Sequence, residues 1–123
     1  MWEYQVRVLR VVDGDTVDVS VDLGFHTHRN IRVRVYGINT PEVRTRDLEE
    51  KALGKLATAR MKQLLDCDKV ILKSHGVGKF GRCLGQLFVI RDGGGFAPDE
   101  KVDVAATLIA EGHGVAYFGG KRK

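Results

Sequence analysis

The sequence contains few cysteines, few prolines and no long apolar run. It contains only two cysteines, Cys67 and Cys83, and two prolines among 123 residues. Two cysteines are too few for a disulfide framework, so we expect structural thiols in a reducing compartment. No run of about 18 apolar residues is present, which excludes a spanning helix. Residues 1–15 alternate polar and apolar side chains and lack the apolar core of a signal peptide. We therefore expect a cytoplasmic or phage-host intracellular protein, although a secreted mature form with a new Met1 would look identical.

Acidic residues are scarce in one region of the chain. Residues 29–46 carry five arginines, and Glu42 is the single acid among them. The net charge is +4 and the sequence pI is about 9.2. Clustered basic charge predicts a polyanionic partner, although a basic pI is also common among soluble proteins without one. The length predicts one domain over residues 1–118, followed by a basic tail at 119–123.

Five segments have the sequence features of strands. They are 3–12, 16–23, 31–36, 69–73 and 84–90. In the second segment, one face is predicted to be buried and carries Val17, Val19, Val21 and Leu23. Asp13-Gly14 tolerates positive φ and predicts a tight hairpin after the first strand. A glycine-rich loop, in which His75 is expected to be exposed, is predicted over 74–83, and a turn region over 93–98.

Two helices are predicted from apolar periodicity. Asp47 followed by Glu50 resembles a capping box at the start of the first helix. Its buried stripe is predicted to be Leu53, Leu56, Ala57, Met61 and Leu64. The second, short helix is predicted to begin after the N-cap Asp103 and to end at Gly112. Its buried stripe is predicted to be Val104, Ala105, Leu108 and Ile109.

The order of these elements predicts the fold class. Five strands with a helix between the third and fourth, and a short C-terminal helix, are typical of a β-rich α+β fold, the OB-type barrel. Such barrels bind oligonucleotides on one face. An unrelated α+β arrangement would give the same pattern of elements.

Three short segments hold residues suited to phosphodiester chemistry. They are "DGDT" at 13–16, "RVYGINTPE" at 34–42 and "KFGR" at 79–82. Each also has a structural interpretation, as a hairpin turn, a strand end and a charged surface loop. The first segment is not an EF-hand, because Val17 and Gly24 stand at loop positions where oxygen ligands belong.

Together these segments resemble the staphylococcal nuclease (thermonuclease) family. In that family a DGDT turn, an arginine-bearing strand ending in a D-x-P-E-like segment, and a Y-G-R loop occur in this order on an OB barrel. The family's step of eight residues from arginine to glutamate matches Arg34 and Glu42. "LIAEGHGVAY" is similar to the family's helix followed by a G-x-A-x-x-Y-type segment. The resemblance extends from about Val6 to Tyr117.

The resemblance implies a Ca²⁺ site. Asp15 matches the family's calcium-binding aspartate, and Thr40 matches the residue that offers its backbone carbonyl. Asn39 occupies the position of a second aspartate in the best-known member. Calcium takes about six to eight oxygen ligands, including amide carbonyls, so Asn39 can still coordinate with one negative charge fewer. We expect weaker binding or a broader choice of metal.

The resemblance also implies three catalytic residues. Glu42 matches the glutamate that orients or deprotonates the attacking water. Arg34 and Arg82 match the two arginines that hold the phosphate, since a planar guanidinium can donate to two oxygens at once. Pro41 would stiffen the backbone directly before Glu42.

Nucleotide contacts follow from the same resemblance. Lys79 and Phe80 match a Lys-Tyr pair that contacts a terminal phosphate, but Phe80 lacks the hydroxyl. Tyr117 matches one of two tyrosines of the nucleotide pocket, and the second position falls at Gly119. Stacking on a base contributes about 1–3 kcal/mol. Partial core packing is the alternative role of Phe80 and Tyr117.

The resemblance therefore predicts a monomeric, metal-dependent, sugar-nonspecific nuclease that acts on DNA or RNA, prefers single strands and leaves 3′-phosphate ends. One alternative is a noncatalytic OB-fold module that binds nucleic acid. The other is a protein-interaction domain, for which the arginine cluster would be a coincidence. Metal-dependent cleavage distinguishes the first alternative, and steep salt dependence of binding distinguishes the second.

Overall fold

The computed structural model describes residues 2–41, 43, 46–67, 69–77, 83–91 and 100–117. The strands are β1 (Trp2–Asp13), β2 (Thr16–Asp22), β3 (His28–Val35), β4 (Gly37–Asn39), β5 (Val70–Val77), β6 (Cys83–Arg91), β7 (Glu100–Asp103) and β8 (Val115–Tyr117). The helices are α1 (Leu48–Leu65) and α2 (Val104–Ala110). None of the described helices is long and apolar enough to cross a membrane.

Five strands close into a barrel. The sheet runs in the order β3-β2-β1-β5-β6, and β6 pairs back in parallel with the end of β3. β7 extends the sheet beyond β6, and β4 forms a separate ladder with β8. Helix α1 lies in sequence between the third and fourth barrel strands. The predicted OB-type barrel is therefore confirmed, whereas the short strands β4, β7 and β8 were not predicted.

Strand β2 is buried on both faces along most of its length. Val17, Val19 and Val21 belong to the core as predicted, and Thr16 and Ser20 on the opposite face are also buried. The prediction for Leu23 is wrong, because β2 ends at Asp22 and Leu23 is 46% exposed in the following turn.

The β1–β2 turn has a different basis from the predicted one. Neither Asp13 nor Gly14 has a positive φ, so the predicted conformational reason for this pair is wrong. A Cβ on Gly14 would lie 2.8 Å from the Ala57 Cβ and 2.9 Å from the Thr40 side chain. Glycine is needed because helix α1 and Thr40 approach the turn closely.

The β2–β3 turn is made by residues poorly suited to it. The Thr27 N–H donates to the Gly24 carbonyl at 2.9 Å, and the two central residues, Phe25 and His26, have φ values of 54° and 59°. This is the pattern of a type I′ turn, in which Asn and Gly are preferred. Left-handed backbone costs a residue with a Cβ about 1–2 kcal/mol. Phe25 is nevertheless 100% exposed.

Helix α1 is rotated relative to the predicted stripe. Asp47 is the N-cap as predicted, accepting from the N–H groups of Glu49 and Glu50. The buried residues are Gly54, Ala57, Met61, Leu64 and Leu65. The prediction is wrong for Leu53 and Leu56, which are 51% and 57% exposed. The close approach at Gly14 favours small residues, so the face with Gly54 and Ala57 turns inward.

Part of the predicted glycine-rich loop is strand. β5 continues to Val77 and β6 begins at Cys83, while residues 78–82 and the whole predicted turn region at 93–98 lie outside the described residues. His75 is not an exposed loop residue. Its ring stacks on Tyr36 with centroids 4.4 Å apart, and its Nε2 lies 2.9 Å from Gln86 Oε1.

Helix α2 and the two thiols agree with the predictions. Asp103 caps α2, accepting from the N–H groups of Ala105 and Ala106. The predicted stripe is buried at three positions and partly buried at Ile109. Gly112 follows with a φ of 83°. Cys67 and Cys83 are both free.

Candidate active site

The β1–β2 turn brings two carboxylates together. The Asp15 N–H donates to Asp13 Oδ1 at 3.1 Å, which orders the turn around the first acid. Asp15 is 9% exposed, and its Oδ1 accepts from the Thr16 hydroxyl at 3.2 Å. A carboxylate this buried needs partners for both oxygens.

The second oxygen of Asp15 meets groups from β3 and from the end of β4. Asp15 Oδ2 accepts from the Thr40 N–H at 3.1 Å and lies 3.6 Å from an Nη atom of Arg34. The guanidinium also donates to the Val35 carbonyl at 2.7 Å, and the Val35 N–H donates to the Asp15 carbonyl at 2.8 Å. Asp15 thus joins segments that are distant in sequence.

The two acids have opposite pKa shifts. Burial is the largest cause that raises the pKa of Asp13 to about 6, and its hydrogen bond and repulsion with Asp15 add to it. Burial also acts to raise the pKa of Asp15, but the hydrogen bond from Asp13, the charge of Arg34 and the Thr40 N–H outweigh it. The pKa of Asp15 is therefore lowered, and Asp15 is the first of the pair to ionise as pH rises.

Thr40 and Asn39 lie beside this pair. Thr40 is 3% exposed, and its hydroxyl has no hydrogen-bond partner in the described part of the chain. Asn39 is partly exposed and pairs with Val115 across the β4–β8 ladder. Tyr117 lies opposite Gly37 in the same ladder. The ladder therefore holds Asn39 at one end, where the chain continues into Thr40, and Tyr117 at the other end.

An open groove of about 460 Å³ lies on the Asn39 side of the site. Its walls are residues 39–41, the segment 112–115 and the start of α1, which contributes Asp47, Glu49 and Glu50. Three carboxylates repel a phosphate backbone. A polyanion would therefore approach from the Arg34 side.

The structure places some of the predicted site residues together. Arg34, Asp15 and Thr40 are in direct contact, with Asn39 adjacent in the chain. Four predicted residues lie outside the described ones: Glu42, Lys79, Phe80 and Arg82. The described residues contain no group of three or more His, Cys, Asp or Glu side chains arranged for a metal.

Asp13 is the residue that sequence reasoning missed. The "DGDT" motif predicts a role for its second acid, Asp15, but none for its first. Two acids separated by one residue in a tight turn are a signal that they meet. Their unequal titration depends on burial, which the spacing does not show.

Comparison with known proteins agrees with the resemblance. The profile of the family described as "Staphylococcal nuclease homologue" matches residues 32–123, about three quarters of the chain. The chain is 29% identical over 115 residues to "Protein ParB" of Escherichia coli, covering 94% of this chain and 58% of that protein.

Two further relatives carry nuclease names. "Micrococcal nuclease" of Shigella flexneri is 29% identical over 116 residues, covering 94% of this chain and 59% of that protein. An "Uncharacterized endonuclease" of Escherichia coli O157:H7 is 30% identical over 82 residues, covering 67% of this chain and 46% of that protein. The chain thus spans about half the length of these relatives. By the family match, the chain belongs to the staphylococcal nuclease homologue family.

Proposed function

We propose that this chain is a metal-dependent nuclease that hydrolyses phosphodiester bonds of DNA or RNA. The observation that carries the proposal is the Asp15 carboxylate, buried and joined to Arg34 and to the Thr40 backbone. A charged carboxylate beside an arginine can hold a cation and a phosphate side by side. The family and the nuclease names of two relatives support the same reading.

The chemistry of the candidate ligands fits a hard divalent cation such as Ca²⁺, because hard cations prefer oxygen. The candidates are the carboxylates of Asp15 and Asp13, with the Asn39 amide and the Thr40 carbonyl from the segment whose Thr40 N–H contacts Asp15. The acid pair, one of whose members has a raised pKa, is also a place where added positive charge is favourable. A bound cation supplies charge that stabilises the phosphate as negative charge develops on it. Asn39 provides one charge fewer than an aspartate would.

The remaining roles, which are phosphate binding, proton transfer and nucleotide contact, belong to other side chains. Arg34 and Arg82 hold the non-bridging oxygens of the phosphate through paired N–H donors. Glu42 accepts a proton from the water that attacks phosphorus. The bond from phosphorus to the 5′ oxygen breaks, that oxygen takes up a proton, and a 3′-phosphate end remains.

Lys79, Phe80 and Tyr117 contact the neighbouring nucleotide. A monomer is sufficient for these roles, and single strands are preferred because their bases can splay onto the barrel.

Cleavage of heat-denatured DNA in Ca²⁺ and in chelator tests the proposal. Wild type is expected to cut in Ca²⁺ only, and Glu42→Gln is expected to lose about 10²–10⁴-fold in rate because the proton acceptor is gone. Glu111→Gln is the matched control. Glu111 is on the surface, where it pairs with Arg60 at 2.6 Å, and its loss should leave cleavage unchanged.

Binding without cleavage would favour the noncatalytic module. If wild type binds DNA but leaves it intact in Ca²⁺, Mn²⁺ and Mg²⁺, and Asn39→Asp does not restore cutting, the nuclease proposal is overturned. Restoration by Asn39→Asp would place the deficit in the charge of the metal site. Loss of cleavage in both Glu42→Gln and Glu111→Gln would remove the role given to Glu42.

A further inference from the structure

We propose that single-stranded nucleic acid leaves the candidate active site along the outer face of β1, β2 and β3, and that Phe25 at the β2–β3 turn stacks on one of its bases. The inference rests on the proposed function, because it extends the substrate from the site at Arg34. It adds a second contact region at the far end of the sheet, about 20 Å away if β3 is fully extended.

The outer face is set by the register of the three strands. β2 and β3 pair one-to-one from Thr16↔Arg34 to Asp22↔His28, so alternate residues share a face without interruption. β1 adds residues through Arg7↔Ser20 and Arg10↔Asp18. The outer face therefore carries Arg7, Arg10, Asp13, Thr16, Asp18, Ser20, Asp22, His28, Asn30, Arg32 and Arg34. It has four arginines against three aspartates, and cationic side chains attract a phosphate backbone.

All three aspartates of the outer face are already engaged. Asp13 accepts from the Asp15 N–H at 3.1 Å. Asp18 accepts from Arg32 through Nε at 2.8 Å and Nη2 at 3.2 Å, and Asp22 accepts from the Gly24 N–H at 2.8 Å. The Arg32 side chain is still 49% exposed, and its Nη1 makes no bond to Asp18. Arg7 and Arg10 are exposed as well. The accessible cations therefore lie on β1 and β3, on either side of the buried Thr16 and Ser20 of β2. The Arg34 side chain, at the site end of the path, is 19% exposed.

A groove of about 590 Å³ lies near the far end of the outer face. The buried Ser20 lies in it, and Arg7, Asp22 and His28 stand on its walls. The chain after α1 forms the remaining side with Asp66 and Cys67. Pockets of about 300–1,000 Å³ hold small ligands, so this groove has room for a nucleotide.

Phe25 has no role inside the fold. Its side chain is 100% exposed, and it occupies a type I′ turn position that Asn or Gly would fill without strain. Neither core packing nor turn formation accounts for a phenylalanine there. An exposed aromatic ring beside a basic face is the kind of platform on which bases stack. Arg29, next to the turn in β3, is exposed and adds a cation at this end.

The distance from Arg34 to His28 along β3 fits a single-stranded nucleic acid bound to one barrel. Arg34 and His28 are six residues apart in β3, which spans about 20 Å at about 3.3 Å per residue. At about 3.4 Å per nucleotide of a stacked strand, this is about six nucleotides. Barrels of this type cover about 4–16 nucleotides. A 4-mer held at Arg34 would therefore not reach Phe25, whereas a 16-mer would.

The test compares labelled dT4 and dT16 by fluorescence anisotropy in Ca²⁺, with Glu42→Gln present in every protein to prevent cutting. Phe25→Asn is expected to weaken dT16 binding about tenfold and to leave dT4 binding unchanged. Phe25→Trp keeps a stacking ring and should retain affinity. His26→Gly relieves the same backbone strain but keeps Phe25, so it is the matched control and should also bind normally.

Thermal unfolding separates loss of contact from loss of structure. Asn suits a left-handed position better than Phe, so Phe25→Asn should unfold at a higher temperature while it binds dT16 less well. In addition, dT16 should slow the alkylation of Cys67 at the groove by iodoacetamide and dT4 should not. Cys83, which is 8% exposed, serves as the internal reference.

The outcomes distinguish this inference from the proposed function. If dT16 binds and Phe25→Asn binds it equally well, or if Cys67 is not protected, the outer-face path is wrong and the nuclease proposal stands. If the Glu42→Gln protein binds neither oligonucleotide, and wild type cuts no DNA, both proposals are overturned.

Discussion

Asp13 and Asp15 show how one turn produces two unlike carboxylates. Both lie in a crowded place, but only Asp15 has Arg34 and the Thr40 N–H on its oxygens. Asp13 has the Asp15 N–H and a hydrogen bond with Thr16, which are outweighed by burial and by its charged neighbour. The arrangement lowers the pKa of Asp15 and raises the pKa of Asp13, and ionising Asp13 in the folded state lowers the stability of the fold. Such a cost is expected at a site where a charge is held for binding.

The stability of the metal-free protein should depend on this pair. The pKa of Asp13 rises from 3.8 to about 6 on folding, so the folded state binds the proton more tightly. Stability should therefore fall as pH rises from about 4 to about 6, and the full penalty should remain above pH 6. A shift of roughly two units corresponds to about 3 kcal/mol. Because Asp13 is partly exposed, solvent screening reduces this to about 1 kcal/mol.

Asp13→Asn tests this in urea unfolding with chelator present. The amide oxygen can still accept from the Asp15 N–H, but it carries no charge. The variant should be more stable than wild type by about 1 kcal/mol at pH 7.5. At pH 3.5, where Asp13 is mostly protonated in both states, the difference should nearly disappear. An equal gain at both pH values would mean that charge is not the cause.

Thr40 allows its backbone and side chain to be tested separately. Its N–H binds Asp15 and its carbonyl is the proposed ligand, whereas its buried hydroxyl has no partner among the described residues. Thr40→Val keeps the shape and both backbone groups. Removing an unsatisfied hydroxyl should stabilise the fold by up to about 1 kcal/mol and leave cleavage unchanged. Reduced cleavage with normal stability would show that the hydroxyl takes part in the site.

At the scale of elements, the orientation of α1 depends on one close approach. The buried face contains Gly54 and Ala57, and Ala57 lies where a Cβ on Gly14 would meet it. Apolar periodicity predicted the helix and its cap, because these depend on local sequence. It could not choose the face, since Leu53 and Leu56 are the more hydrophobic candidates. The choice depends on how near the helix comes to the β1–β2 turn.

A pair of substitutions in α1 tests this orientation. Leu56→Lys should change the free energy of unfolding by no more than about 0.5 kcal/mol, because the side chain is 57% exposed. Met61→Ala should cost about 2–5 kcal/mol, because Met61 is 0% exposed in the core. Urea unfolding measures both. A large loss for Leu56→Lys would place that residue inside the protein and contradict the rotation.

Other elements show the same division between local and long-range information. The strands of the barrel were predicted from alternation, and the helix caps from Asp47 and Asp103. The β4–β8 ladder was missed because three-residue strands carry too little pattern to be recognised. Likewise, the motifs predicted Asp15 and Arg34, but the unequal titration of Asp13 follows from burial that only the closed barrel creates.

For the whole molecule, the distribution of charge has more consequence than its sum. The net charge is only +4, but the groove beside Asn39 is acidic and the outer face of β1–β3 is basic. A polyanion is repelled on one side of the site and attracted on the other. The direction in which a nucleic-acid strand leaves the site should therefore depend on the positions of the cationic side chains, and not only on their number.

This can be tested by the salt dependence of dT16 binding in the Glu42→Gln protein. Each phosphate neutralised by a cation contributes about −0.7 to the slope of log K against log salt for single strands. Arg10→Gln removes a cation of the outer face and should make the slope shallower by about 0.7. Lys55→Gln removes the same charge from an exposed position of α1, so it should leave the slope unchanged.

The two variants have equal net charge, and the comparison therefore isolates position. Equal changes in both slopes would mean that dT16 senses only the overall charge, which contradicts a defined path on the outer face. A flat salt dependence in the unmutated Glu42→Gln protein would favour the protein-interaction alternative, because phosphate contacts necessarily release counterions. A slope that changes with Arg10 alone would instead fix the strand to the β1–β3 side of the barrel, away from the acidic groove.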